Sequence, residues 1–185
     1  MQARDKTRFT NRGFTLIEMI IVLVLLPMLL GVSGSLFVVG LHAWDTGRTR
    51  TGIREDVSYA MDEVVRDLKE MANGSLAQYS SISHTIQFDE RGGDTYVLYL
   101  HNADDSSFDS SYTESLYDLR KADITQGEDP ASGEGTLILR DLVSPDATTP
   151  ATALTISSTQ VTLDIVVQRS DEIVRTRTKV RPRNL

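Results

Sequence analysis

The longest apolar run of the chain lies near its N-terminus. Between Glu18 and Asp45 the sequence contains no charged residue. As an α-helix, residues 19–41 would rise about 34 Å, which is enough to cross the hydrocarbon core of a bilayer. The pattern therefore predicts a membrane-length helix over residues 14–41, with the carboxylate of Glu18 close to its start.

Residues 42–73 become charged but keep apolar side chains at intervals of three and four. This spacing places the apolar side chains on one stripe of a helix. The members of the stripe are Ile53, Val57, Ala60, Met61, Val64, Leu68 and Met71. We therefore predict an amphipathic second half of the same helix, which ends near Asn73-Gly74 because glycine favours a C-cap.

Residues 74–185 change to short runs rich in β-forming residues. Alternating apolar and polar positions, as in Val161-Thr162-Leu163-Asp164, are typical of strands with one buried face. Predicted strands cover residues 83–88, 95–101, 136–143, 161–168 and 173–180, with hairpin connections at Gly92-Gly93 and Ser170-Asp171 and loops over 104–111, 127–135 and 144–152. The expected fold class is α+β, a long N-terminal helix whose amphipathic half packs on an antiparallel β-sheet head.

Charge and composition narrow the class of protein. The 185 residues have a net charge of −7, and without residues 1–13 there remain 15 cations against 25 acids, a net charge of −10. An acidic body disfavours broad binding of nucleic acid. The lack of cysteine excludes disulfides, thiolate catalysis and sulfur-ligated zinc. The cations of residues 1–13 favour a cytoplasmic N-terminus.

The segment Gly13-Phe14-Thr15-Leu16-Ile17-Glu18 resembles the signal of type IV prepilins and pseudopilins. The resemblance implies that a prepilin peptidase and methyltransferase cuts between Gly13 and Phe14, removes residues 1–13 as a cytoplasmic leader and methylates the new amine of Phe14. The apolar helix would stay on the mature protein. An ordinary secretory signal would lose that helix instead.

The helix-to-sheet order and the closing residues 181–185 look like those of J-type pseudopilins and W-type minor pilins. This resemblance implies a minor (pseudo)pilin, a structural subunit of a type IV pilus or a type II secretion pseudopilus, in a tip or initiation complex. Its partners would be other pilin or pseudopilin subunits, membrane lipid and the inner-membrane assembly platform. We expect a single-pass inner-membrane protein with a periplasmic head, which later enters a periplasmic or extracellular filament. The alternative is a single-span, membrane-anchored periplasmic enzyme or ligand-binding domain.

Glu18 is the first candidate functional residue, because a charged side chain on a membrane helix costs about 2.5 to 3.5 kcal/mol at the bilayer centre and needs a partner. The freed amine of Phe14 can meet this carboxylate within one helix. The resemblance implies a second arrangement, in which the amine of an incoming subunit meets Glu18 of a subunit already in place. A structural alternative is a carboxylate favoured at a helix N-terminus by the macrodipole. We predict the assembly role.

Pro27 is a candidate helix break. Proline lacks the amide that would bond the carbonyl of Leu23, and Gly31 and Gly34 lie nearby, so we expect a kink or a loosened turn. The resemblance implies a use for it, a melted segment in the packed filament. The alternative is that membrane helices tolerate proline and glycine more often than soluble ones.

The last predicted strand places four cations on one face. They are Arg175, Arg177, Lys179 and Arg181. These four positive charges repel one another unless acidic side chains neutralise them. Acids are available on the amphipathic helix of the same subunit or of a neighbour. The candidate acids are Glu55, Asp56, Asp62, Glu63, Asp67 and Glu70. We weigh a subunit contact equally with a solvated edge that discourages aggregation, and place DNA capture behind both.

No arrangement in the sequence predicts catalysis, a metal or a cofactor. His42, His84 and His101 lack metal-ligand spacing and a companion nucleophile, so we expect structural roles for them. The acidic segment 102–109 lacks the glycine of a calcium loop at the sixth position, and Thr113 stands where a glutamate is needed. We expect a solvated loop there and a protein that is not an enzyme.

Overall fold

A computed structural model describes residues 14–72, 75–79, 82–102, 112–126, 129–130, 133–146, 150–157 and 160–182. The described residues form one helix and seven strands. Their bounds are α1 Leu16–Glu70, β1 Ile86–Asp89, β2 Thr95–His101, β3 Leu116–Asp123, β4 Thr136–Val143, β5 Ala153–Ser157, β6 Gln160–Arg169 and β7 Glu172–Val180. The chain divides into two compact units, Met1–Asp45 and Thr46–Leu185.

In the first unit the structure describes residues 14–45, which include the N-terminal part of α1. Their large apolar side chains are exposed on every side of the helix, with Leu23 at 72%, Phe37 at 67% and Val38 at 52% exposure. A helix that is apolar all round belongs in a membrane or a large core. By length and composition α1 is able to cross a bilayer. α1 continues through Pro27 as helix, and the melted segment expected in a packed filament stays a prediction.

The second unit contains a seven-stranded antiparallel sheet in the order β1-β2-β3-β4-β6-β5, with β7 pairing with β6. The β6–β7 ladder is the longest, and it runs from Val161 opposite Val180 to Arg169 opposite Glu172. The two-residue turn Ser170-Asp171 closes this hairpin as predicted. A longer turn containing Gly92 and Gly93 joins β1 to β2, and Gly93 has a φ of +99°, a conformation that glycine adopts without strain.

The amphipathic stripe of α1 forms one side of the core. All seven predicted stripe residues are buried, and Ile53, Leu68 and Met71 have no exposed surface. They pack with strand side chains in one hydrophobic cluster, which includes Phe88, Leu98, Leu119, Leu142, Leu163 and Ile165. The predicted α+β fold, with the helix stripe on an antiparallel sheet, is therefore confirmed.

Five strands were predicted and two were missed. The predicted runs at 95–101 and 136–143 match β2 and β4, and the other three differ from β1, β6 and β7 at their ends. β3 and β5 had no predicted counterpart. α1 ends at Glu70 rather than near Asn73-Gly74. That stop signal, the leader 1–13 with Gly13, the loop 104–111 and parts of the loops 127–135 and 144–152 lie outside the described residues.

Candidate functional site

Thr15 and Glu18 close the first turn of α1 by hydrogen bonding to each other. Both the amide and the hydroxyl of Thr15 donate to Oε2 of Glu18, at 2.8 and 2.9 Å. The amide of Glu18 donates in return to Oγ1 of Thr15 at 3.4 Å. This arrangement is a capping box, in which the N-cap residue and the third helical residue satisfy each other's free amides. The helix start is therefore fixed by its own side chains.

The capping box uses one oxygen of the Glu18 carboxylate. Oε1 accepts no hydrogen bond from the part of the chain that the structure describes, so it is free for a donor from elsewhere. Phe14, whose amine would be exposed by cleavage, directly precedes the N-cap and is 79% exposed. Sequence reasoning weighed the macrodipole as the structural role of Glu18 and missed the cap, although the spacing Thr15-x-x-Glu18 is its signal.

Two of the four cations predicted on the last strand, Arg175 and Arg177 of β7, meet an acid from the neighbouring strand β6. Arg175 binds Asp164 through two hydrogen bonds, from Nε to Oδ1 at 2.8 Å and from Nη2 to Oδ2 at 2.6 Å. Nε of Arg177 lies 3.9 Å from Oδ2 of Asp164. The predicted intramolecular partners, the acids of α1, are absent from this site, and sequence reasoning did not name Asp164.

Two of the α1 acids bind other cations instead. Asp56 accepts a hydrogen bond from Nη1 of Arg169 at 3.0 Å, and Asp67 accepts one from Nζ of Lys121 at 2.6 Å. Lys121 also lies over the rings of Phe88 and Tyr96, so these contacts attach the C-terminal half of α1 to the sheet.

The three histidines occupy unrelated positions. His42 is exposed on α1, His84 is half-buried in a turn and His101 is buried at the end of β2. Nδ1 of His84 accepts a hydrogen bond from the amide of Leu154 at 3.2 Å. The described residues contain no group of three or more His, Asp or Glu side chains that could hold a metal ion. Most of the acidic segment 102–109 lies outside the described residues.

Residues 8–33 match the family described as the prokaryotic N-terminal methylation motif. The matched segment contains the capping box and most of the membrane-length helix, up to residue 33. This motif, together with a helix that is long and apolar enough to cross a membrane, supports a type IV prepilin-like protein with a single-pass membrane anchor. No curated protein and no solved structure matched the chain. The motif is that of a structural subunit that prepilin peptidase processes and that assembles with other pilin subunits.

Proposed function

We propose that the chain is a minor pilin or pseudopilin, a non-enzymatic subunit built into the tip or initiation complex of a type IV pilus or a type II secretion pseudopilus. Cleavage after Gly13 removes the leader, and the amine of Phe14 is methylated. The mature subunit stays in the inner membrane with a periplasmic head until the assembly platform extracts it. The observation that carries this proposal is the methylation motif at residues 8–33, joined to a helix that exposes apolar side chains all round.

Glu18 is proposed to direct assembly. Its free Oε1 accepts the methylated amine of an incoming subunit, while Oε2 keeps the capping box closed. In the low dielectric of the membrane such an ion pair is much stronger than at a surface. The pair forms when the incoming helix has the correct register, so it selects that register.

Substitutions at Glu18 separate the charge from the cap. Glu18→Gln keeps an oxygen that accepts hydrogen bonds from Thr15, since glutamine also serves in capping boxes, but it removes the charge. Glu18→Ala removes both. We expect both variants to lose the leader and to be depleted from fibres captured through a tagged neighbouring subunit. Thr15→Ala, which keeps the charge, should be incorporated.

The outcomes are distinct. Normal incorporation of Glu18→Gln would assign Glu18 to the helix cap and contradict the ion pair. Normal incorporation of both Glu18 variants would contradict the assembly role altogether. The second candidate function, a single-span periplasmic enzyme or ligand-binding domain, draws no support from a metal-binding cluster, because the described residues contain none.

A further inference from the structure

The outward face of β7 carries a row of exposed cations. Val174 and Val180 pack with the core that contains the α1 stripe. Since side chains alternate along a strand, Arg175, Arg177 and Lys179 lie on the opposite face of the sheet, away from α1. Arg181 follows directly after β7 and is also exposed. The cation row is these four residues.

The chain itself neutralises the cation row only in part. Asp164 is the acid that meets it in the described part of the head, and it contacts Arg175 and Arg177. Lys179 and Arg181 have no ion-pair partner among the described residues. The acids of α1 cannot form ion pairs with these two cations in the same chain, because α1 packs on the other face of the sheet. Lys179 and Arg181 are therefore exposed charges that the acids of another molecule can approach.

The exposed face of α1 offers a complementary surface. Tyr59 lies at the centre of this face and is 82% exposed. The four positions one helical turn before and after Tyr59 all carry acids, and they are Glu55, Asp56, Asp62 and Glu63. Of these, Asp56 is bound to Arg169, and the other three have no ion-pair partner within the described ranges. We call Tyr59 and these four acids the Tyr59 face.

Two grooves border Tyr59. One, of about 320 Å³, is lined by Asp56, Tyr59, Arg169 and the four β4 residues from Leu137 to Arg140. The other, of about 450 Å³, is lined by Tyr59, Asp62, Glu63 and Arg66. An exposed tyrosine among carboxylates suits lysine and arginine side chains, because the ring face and the acids both attract a cation.

We propose that the cation row of one copy of this chain docks on the Tyr59 face of a second copy. The charges of the two surfaces are complementary, and two cation rows would repel each other, which excludes a symmetric row-to-row contact. The surfaces are different patches on opposite sides of the head, so the contact is heterologous. The proposal rests on the proposed function and deepens it, since it needs two copies of this chain side by side in one tip or initiation complex.

Disulfide trapping tests the contact directly, because the natural chain has no cysteine. Two full-length, differently tagged copies would be produced together in membranes, one with Tyr59→Cys and the other with Lys179→Cys. Oxidation should yield a disulfide between the two copies. The matched control is Tyr59→Cys with Arg91→Cys, an exposed arginine in the β1–β2 turn at the other edge of the sheet, and it should give only background.

Capture of one tagged copy with the other, measured without oxidation, separates the two proposals. Co-capture without a specific disulfide would overturn the docking contact and leave the filament function standing. Failure of co-capture would contradict the contact in any assembly. The docking contact would also be overturned if Lys179→Cys formed a disulfide with a different subunit and none with Tyr59→Cys.

Charge reversal supplies a second readout. Lys179→Glu with Arg181→Glu should lower the disulfide yield, measured from Tyr59→Cys to Arg177→Cys on the same face as the row, by about tenfold if two ion pairs are lost. Adding Asp62→Lys and Glu63→Lys to the partner copy should restore it. These four positions have no ion pair among the described residues, so the head should keep its fold. The proposal would be overturned if the reversed partner did not restore the disulfide. It would also be overturned if the natural chain bound DNA or phosphatidylglycerol vesicles and the charge reversal abolished that binding, since the row would then serve another partner.

Discussion

Arg175 and Asp164 form a two-point ion pair across the β6–β7 ladder. The side chain of Asp164 is only 9% exposed, whereas that of Arg175 is 52% exposed. The hydrogen bonds from Arg175 hold the pKa of Asp164 below its ordinary value, against the opposing effect of burial. Because the pKa in the folded state is the lower one, the stabilisation is complete above the unfolded value of about 4 and is lost as the pH falls below it.

Asp164→Asn should therefore destabilise the head at neutral pH. We expect a loss of about 1 to 3 kcal/mol in the free energy of unfolding, because a buried acceptor of charged hydrogen bonds is replaced by a neutral amide. The difference from the natural chain should shrink below about pH 4. Denaturant titration of the detergent-solubilised full chain, followed by circular dichroism, measures it. Lys179→Gln, on the same strand, should change little, and an equal loss there would contradict the assignment.

Gly135 should tolerate no side chain. A Cβ at this position would lie 2.1 Å from the carbonyl oxygen of Lys121 and 2.8 Å from Cα of Ala122, and the residue has a φ of +85°. Gly135→Ala should therefore cost at least about 2 kcal/mol, since both backbone strain and a steric clash oppose it. Gly93→Ala is the matched control, because Gly93 also has positive φ but has open space around it. Its cost should be about 1 kcal/mol. Equal unfolding midpoints for the two variants would contradict the clash.

His84 should make the head sensitive to mild acid. Burial lowers the pKa of His84, with Asp146 opposing the shift, and Nδ1 must be unprotonated to accept the amide of Leu154. A histidine with a lowered folded pKa stabilises the fold fully above its unfolded value of about 6.5, and that contribution is lost as the pH falls below it.

His84→Asn tests this sensitivity, because asparagine tolerates the positive φ of 58° at this position. The loss of stability between pH 7.5 and pH 5.5 should be smaller in the variant than in the natural chain. His42→Asn, at an exposed helix position, is the control and should keep the natural pH dependence. Identical pH profiles for the natural chain and His84→Asn would show that His84 does not titrate in this way.

The sequence predicted those elements whose pattern is local. The stripe from Ile53 to Met71 was readable because seven apolar residues at helical spacing had to face one core. β3 was missed because it alternates charges with its apolar residues, as in Asp118 and Arg120. β5 was missed because its five residues follow a long loop and give only two large apolar side chains, Leu154 and Ile156.

The candidate site was predictable where spacing alone defines it. Gly13, Phe14 and Glu18 stand in one short motif, and the capping box was present in the spacing of Thr15 and Glu18. The contact between Asp164 and the cation row depends on the register of two strands. Counting back equally from the turn Ser170-Asp171 places Asp164 opposite Arg177, so this contact was available from the hairpin prediction. Which face of the sheet α1 covers could not be predicted from the sequence, because it depends on tertiary packing.

The chemistry of the mature N-terminus tests the central claim most directly. Mass spectrometry of the chain purified from membranes should find Phe14 as the first residue, with one added methyl group and with residues 19–41 retained. Gly13→Leu, which places a bulky side chain at the proposed cleavage site, should leave residues 1–13 attached. A natural chain that begins beyond the apolar run, or that is recovered free of membranes without it, would contradict the account.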